Sequence, residues 1–386
     1  PVGKFLGSMQ SIQAGDLGAR VIRALIDRSG CDPERIDDVI FAQGYPSGEA
    51  PCIGRWSGLA AGLPVSVPGL QVDRRCGSGL QAIINAAMMV QTGAADVVIA
   101  GGAESMSNVE HYSTDMRRGA RMGSTVMHDR LVRGREMSQP AERFGPISGM
   151  IETAENLAQD YGISRAECDG YAAMSHQRAS AAWSSGKFDA ELVPVEVPQR
   201  RGNPVIVNRD EGVRDDVTPE SLAGLRPLAG GVVTAGNASQ QNDAAAACLV
   251  VAEDQLASLG LEPMGYLKGW AVAGCEPSRM GIGPVPAVER LFKRTGLGWD
   301  DIGLVELNEA FAAQVLAVLK GWGWDDRERL NVNGSGISLG HPIGTTGVRI
   351  LATLMHEMER RKVQYGLETM CIGGGQGIAA VFERAA

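Results

Sequence analysis

One arrangement of elements occurs twice in this chain, and that repetition limits the folds open to it. In the first part, Ile36–Ala42 and Val65–Val72 read as strands and Gly77–Gly93 reads as a buried helix. That helix carries apolar residues at Leu80, Ile83, Ile84, Ala87 and Met88. An apolar strand, Asp96–Ala100, then runs into Gly101-Gly102. In the second part, Asp301–Leu307 reads as a strand, Ala310–Lys320 as a helix and Leu330–Val332 as a strand. A glycine turn, the helix Thr346–Met358 and the strand Thr369–Ile372 follow, again ending in glycines. Strands alternating with helices predict parallel βαβ packing, so the expected class is α/β. The repeated order predicts an internal duplication. Between the two parts the texture changes. Seven arginines (117, 118, 121, 130, 133, 135 and 143) precede predicted helices at Thr153–Tyr161 and Arg165–Gly186, and Pro-rich loops run to about residue 231. The arginines fit either a solvated face or a docking surface. The expected division is a first half at 1–110, an insertion at 111–233 and a second half at 234–386.

Composition narrows the function classes. Net charge is −9, which disfavours nucleic acid or an anionic membrane as a partner. No apolar run approaches the roughly 20 residues of a membrane span, and no signal-peptide pattern opens the chain. Seven scattered cysteines, an odd number, predict free thiols and a cytoplasmic setting rather than a disulfide framework. Their spacing suggests no metal site. Glycine supplies 51 of 386 residues, about 13% against a usual share of about 7%. Without a Gly-X-Y period, that excess calls for tight backbone at particular places.

Four motifs account for much of it. Asp73-Arg74-Arg75-Cys76-Gly77-Ser78-Gly79 sets a cysteine between a strand and a helix start, where the helix dipole favours a thiolate and glycines leave N–H groups free. A small packed core cysteine is the alternative there. His341, in Gly340-His341-Pro342-Ile343-Gly344, precedes a proline that suits the first helical position. An imidazole facing a positive helix end stays neutral and can act as a base; a structural histidine is the alternative. Met370-Cys371-Ile372-Gly373-Gly374-Gly375-Gln376-Gly377 takes a second cysteine out of a strand into glycines, without the residues of a P-loop or a dinucleotide fingerprint. Leu307-Asn308-Glu309-Ala310-Phe311 turns a strand into a helix, with Asn308 able to hold a water or to cap the helix. Two thiols and one base on equivalent strand-to-helix edges suit acyl transfer through a thioester with carbanion handling.

Taken together and in this order, the HPIG, CIGGGQG and NEAFA strings resemble those of the thiolases, the acetyl-CoA acetyltransferases and β-ketothiolases. The resemblance covers nearly the whole chain. It implies a layered αβαβα fold from two duplicated βαβαβαββ halves with an inserted loop domain. In the family's pattern a first strand precedes the stretch matching Pro1–Phe5, so that strand is expected to be absent here.

The resemblance also implies roles. Cys76 matches the acylated nucleophile, His341 the base that activates it, Cys371 the acid/base acting at Cα, and Asn308 a water-holding residue of one oxyanion hole. The N–H groups of Cys76 and Gly373 match a second hole. Ser239 and Ala235 match residues along the pantetheine of coenzyme A, Met150 and Met280 match acyl-pocket methionines, and Arg214 and Ser221 match contacts to the nucleotide end. Expected substrates are acetyl-CoA and acyl-CoA thioesters, with coenzyme A as substrate or product and no cofactor. The expected assembly is a homo-oligomer, a tetramer in preference to a dimer, through the arginine-rich stretch 117–135. Gln240 and Ala244, in Ser239-Gln240-Gln241-Asn242-Asp243-Ala244, depart from the common Ser-Gly-x-Asn-Asp-Gly pattern, and Gly149 stands where short-chain members often carry His. These departures bear on chain-length preference. A condensing ketosynthase and a non-catalytic acyl-CoA-binding subunit are the alternative readings; Cys371 in its glycine loop speaks against the first and the intact Cys76, His341 and Cys371 against the second.

Overall fold

The computed structural model describes residues 1–385 as two mixed sheets with helices between and outside them. The first sheet runs, edge to edge, Gly3–Lys4, Asn242–Val251, Val97–Ser105, Asp38–Ala42 and Leu70–Val72. The second runs Gly265–Gly274, Gln376–Arg384, Tyr365–Ile372 and Ile302–Leu307. On its outer side Leu330 makes a single parallel bridge to Val305. Counted along each half, the order is first, fifth, fourth, second, third; the first strand's place in the first sheet holds only Gly3–Lys4, paired at Asn242 and Asp243, and the third strand's place in the second sheet holds only the Leu330 bridge. In each, the fifth strand is antiparallel to the fourth, and the second is parallel to the fourth.

The helices Ser78–Gln91 and Thr346–Arg361 form the central layer. One apolar cluster joins Ile40 and Val98 of the first sheet, Met370 and Ile378 of the second, and Leu80, Ile84, Ile350 and Leu354 of the two helices. Covered on both faces, the central strands read as continuous apolar runs rather than alternating ones; every residue of Val97–Ser105 is buried. The helix Ala14–Ser29 covers the outer face of the first sheet. The helices Pro284–Thr295 and Ala312–Trp322 cover that of the second. The result is the expected αβαβα stack.

The two central helices meet backbone to backbone. A Cβ on Gly79 would lie 2.9 Å from the Gly347 nitrogen, and one on Gly347 would run into the Leu80 amide. These glycines permit close approach of the halves; neither is in a left-handed conformation.

Three expectations are corrected. The second half does not begin at residue 234: Asn242–Val251 pairs with Val97–Ser105 along its length, from Ser105↔Asp243 to Val97↔Val251, and so completes the first sheet. The insertion interrupts the first half between its fourth and fifth strands, and nothing local in an apolar strand says which sheet it will join. The strand expected over Val65–Val72 is confined to Leu70–Val72, because Pro64 and Pro68 remove N–H donors from the preceding stretch. Leu330–Val332 supplies only the bridge at Leu330. The insertion helices are Met150–Asp160 and Arg165–Ser184, the second opened by a Ser164/Glu167 capping box.

Candidate active site

The Cys76 edge is shaped by an unusual backbone. Arg75 sits at φ +47°, a left-handed conformation that costs a non-glycine residue about 1–2 kcal/mol. Its N–H donates to Asp73 Oδ1 at 2.8 Å, and its guanidinium donates to the carbonyls of Gly44 (3.1 Å) and Gly134 (3.2 Å). Pinned in this way, Arg75 turns the chain so that Cys76 stands at the head of the Ser78–Gln91 helix with 8% exposure. Burial raises the Cys76 thiol above its ordinary value. The Gly373 N–H, Arg75, the residue's own N–H and Arg135 all act the other way.

The His341 edge is built by the second half, but it is held from the first. The His341 N–H donates to Asn242 Oδ1 at 2.9 Å, and Asn242 Nδ2 donates to the Gly3 carbonyl at 2.9 Å. The ring Nδ1 lies 2.7 Å from Thr346 Oγ1. Asn308 Nδ2 stands 3.5 Å from both ring nitrogens, outside good hydrogen-bond distance. Burial, reinforced by Arg349 and Arg135, pushes the imidazole pKa down to about 3, so the ring is neutral at physiological pH.

Cys371 ends the central strand Tyr365–Ile372 and is fully buried with Met280, Phe311 and Ala238. Its thiol is raised well above the ordinary value by burial first, then by Cys76 and Cys275. The chain then turns through Gly374 and Gly375, both at positive φ. Positions around Gly373 are bounded by Met150 Sδ and Ser138 Oγ, at 3.6 and 3.8 Å from where its Cβ would stand. Asn308 is fully buried, its N–H donating to the Thr369 carbonyl at 3.0 Å, and its Oδ1 has no partner. A buried acceptor without a partner suits a water or a ligand donor.

The expected residues therefore fall into three groups. Cys76, Asn308 and Gly373 follow the carboxyl ends of strands, Cys371 is the last residue but one of its strand, and His341 lies in the turn before Thr346–Arg361; the Gly373 N–H faces Cys76, Cys76 acts on Cys371, and Asn308 faces the His341 ring. Met150 and Met280 join them through Gly373 and the Cys371 cluster. Ser239 flanks that group, its N–H donating to the Ala310 carbonyl at 2.9 Å, with Ala235 exposed nearby on the same loop. Arg214 and Ser221 lie on the exposed surface of the insertion. The Ser221 hydroxyl is already engaged with Thr218 as part of a helix cap.

Several positions were invisible in the motifs. Of the seven insertion arginines, Arg135 turns inward. Its Nε donates to Tyr45 Oη at 3.3 Å, and with the Gln241 amide turned to face it, both Nη atoms donate to that side chain at 3.0 and 3.2 Å. Glu104 accepts from the Gly44 and Gly344 N–H groups at 2.8 and 2.9 Å, tying the loop after Asp38–Ala42 to the His341 turn. Glu309 accepts from Tyr171, Ser175, Asn331 and the Ile337 N–H, which fixes the loop beside Asn308 to the insertion. In the sequence, the sign of that network is the Glu309 that follows Asn308.

Residues 1–254 match the family described as thiolase, N-terminal domain, and residues 261–384 match thiolase, C-terminal domain. The chain belongs to the thiolase family. It is 46% identical over 386 residues to an acetyl-CoA acetyltransferase of Chromobacterium violaceum, covering 99% of this chain and 97% of that protein. A probable acetyl-CoA acyltransferase of Staphylococcus aureus is 44% identical over 392 residues, with 100% and 96% covered. Among solved structures, the Bacillus anthracis acetyl-CoA acetyltransferase superposes with TM-score 0.94 at 40% identity, covering 100% of this chain and 96% of that one. Human mitochondrial 3-ketoacyl-CoA thiolase in complex with CoA superposes with TM-score 0.93 at 39% identity, covering 100% and 95%. Among the described residues, no helix of this thiolase-family chain is long and apolar enough to cross a membrane.

Proposed function

We propose that this chain is an acyl-CoA C-acetyltransferase that runs thiolysis of 3-oxoacyl-CoA and its reverse, Claisen condensation, through an acyl-thioester on Cys76. The observation that carries this reading is the convergence of a thiol, a neutral imidazole and a second thiol, from both halves, on one buried end of the sheets.

In the cleavage direction, His341 takes the Cys76 proton as sulfur attacks the C3 carbonyl. The C2–C3 bond breaks, its electron pair passes to the enolate of acetyl-CoA, and Cys371 delivers a proton to C2. Coenzyme A then takes the acyl group from Cys76, its own thiol proton passing to the protein. The Cys76 and Gly373 N–H groups hold the acyl oxygen. Asn308, through a water on its Oδ1, and His341 hold the enolate oxygen. Such donors act in a water-poor site, where each is worth about 3–4 kcal/mol of barrier. Coenzyme A is a substrate and product here, and no step calls for a resident metal or prosthetic group.

Ser239, Ala235 and the two methionines are assigned to the pantetheine and acyl ends, and Arg214 and Ser221 to the nucleotide end. Two structural halves, 1–105 with 242–251 and 265–384, are the proposed division, with 106–241 as the insertion. The protein is assigned to the cytoplasm, a setting that suits its seven free cysteines. The arginine-rich stretch 117–135, which exposes Met122 and Met127, is assigned to tetramer contacts. Light scattering is expected to give four chains, and a dimer would overturn that assignment. Acetoacetyl-CoA thiolysis tests the activity: wild type is expected to be active, and Cys76→Ala is expected to be inactive with an unchanged circular dichroism spectrum. Normal turnover by Cys76→Ala would refute the nucleophile.

A further inference from the structure

The catalytic reading requires that His341 offer Cys76 an unprotonated nitrogen, and a neutral imidazole offers only one of its two. Which one is free depends on what the other nitrogen meets. On the Nδ1 side the ring meets Thr346 Oγ1 at 2.7 Å, with both residues buried. That hydroxyl also reaches the Pro342 carbonyl at 3.0 Å, one turn back. A threonine hydroxyl has a single proton to give. If it goes to Pro342, a back-bond that helical threonines commonly make, then Oγ1 can only accept from the ring. Nδ1 must then carry the hydrogen, and Nε2 keeps its lone pair.

The remaining contacts agree with this assignment. Asn308 Nδ2 is 3.5 Å from either nitrogen and prefers neither. Asn242 Oδ1 holds the His341 backbone N–H, so the ring pivots about a fixed main chain and its plane is left to Thr346. No carboxylate pairs with either ring nitrogen in the described structure, unlike arrangements in which an acid orients the base.

We propose that Thr346 is the positioning residue of the catalytic base: it accepts the Nδ1 hydrogen of His341, passes its own hydroxyl hydrogen to the Pro342 carbonyl, and so directs the basic Nε2 toward Cys76. The assignment rests on His341 acting as the base. When the Cys76 proton arrives at Nε2, no bond in the relay has to change. The imidazolium keeps Nδ1–H donating to Oγ1, and the charge is met by a hydroxyl dipole already aligned toward it. A hydroxyl partner holds the tautomer without a charge, so it leaves the imidazole readily deprotonated, as a base that must give its proton back requires.

The test uses the full-length enzyme labelled with 15N at histidine, as wild type, Thr346→Ser and Thr346→Val. In wild type, the His341 resonances are expected to show Nδ1 as the protonated, pyrrole-type nitrogen and Nε2 as the pyridine-type one, and Thr346→Ser to keep that pattern. Thr346→Val keeps the shape and removes the acceptor. It is expected to mix the tautomers and to lower kcat by roughly tenfold or more, with KM for coenzyme A nearly unchanged and Thr346→Ser recovering most of the loss. A pyridine-type Nδ1 in wild type would overturn the proposal, as would full kcat in a folded Thr346→Val. If His341→Ala proved fully active, the reading of His341 as the base would fail instead, whatever the tautomer. Should Thr346→Val not fold, the wild-type and Thr346→Ser spectra still decide the tautomer.

Discussion

The two halves use the same place in the same topology for different chemistry. Cys76 precedes the central helix of the first half, and His341 precedes that of the second. Both helices pack against each other through Gly79 and Gly347. The first half presents its residue by strain, with Arg75 in a left-handed conformation held by Asp73, Gly44 and Gly134. The second presents its residue by hydrogen bonds, from Asn242 at the main chain and Thr346 at the ring. A thiol on a short side chain must be aimed by its backbone, whereas an imidazole has a second nitrogen by which it can be steered. The difference teaches that duplication supplied the scaffold and that each half then solved the aiming problem with what its own functional group allowed.

The largest test of that comparison removes one partner from each half. Cys76→Ala and His341→Ala are each expected to lower kcat by about 10⁴-fold, and the double variant by little more, because the two act as one unit. Additive losses in steady-state thiolysis would separate the halves and break the comparison. Cys371→Ser is expected to cost about 10²–10⁴-fold, in keeping with the loss of a general acid. Exchange of the C2 hydrogens of acetyl-CoA with deuterated water should fall with it; retained exchange would remove Cys371 from that role.

Next in size comes the seam itself. Gly79→Ala inserts a methyl group between the helices, and equilibrium unfolding in urea should register a loss of about 1–3 kcal/mol. Gly170→Ala, at an open helical position, should cost nothing comparable.

Protonation tests the second half alone. His341 is held neutral by burial, with a folded pKa of about 3 against an unfolded value of about 6.5. Between those values the unfolded chain binds a proton that the native state does not, so stability falls as pH drops from about 6.5 toward about 3. His341→Gln should flatten that part of the stability profile, measured by urea unfolding at several pH values; an unchanged slope would show the ring to be ordinary.

The smallest effect reads the first half's thiol. Arg135→Met removes one of the influences that favour the Cys76 thiolate. The pH midpoint for alkylation of Cys76 by iodoacetamide, already above that of an ordinary thiol because of burial, should move further up. A downward or absent shift would take Arg135 out of the account.

What could be read in advance follows a physical rule. Cys76, His341 and Asn308 sit in short turns that lead into helices, and Cys371 ends a strand before a glycine turn into the next strand; in each place residue type and neighbouring glycines are local signals. The repeated order of elements was legible for the same reason. The contacts that complete the site span long stretches of chain. Asn242 reaches across 99 residues to His341, and Arg135 turns inward while Arg117, Arg118 and Arg121 stay in solvent. Nothing in the arginine run marks one member as different. The strand Asn242–Val251 joins a sheet whose other main strands lie before the insertion, which no local pattern encodes. The glycines were read as freeing N–H groups for a ligand. Gly374 and Gly375 do occupy turns that need positive φ, but Gly79, Gly102, Gly344 and Gly347 lie where the halves touch. Part of the glycine excess therefore serves the seam between the halves.

The central claim is that one thiol, Cys76, carries the acyl group while the other handles protons. Cys371→Ser enzyme incubated with acetyl-CoA, quenched in acid, digested and sequenced by mass spectrometry tests it directly. One acetyl group is expected, on Cys76. Acetyl found elsewhere, or no acetyl-enzyme in a folded protein that binds coenzyme A, would contradict it.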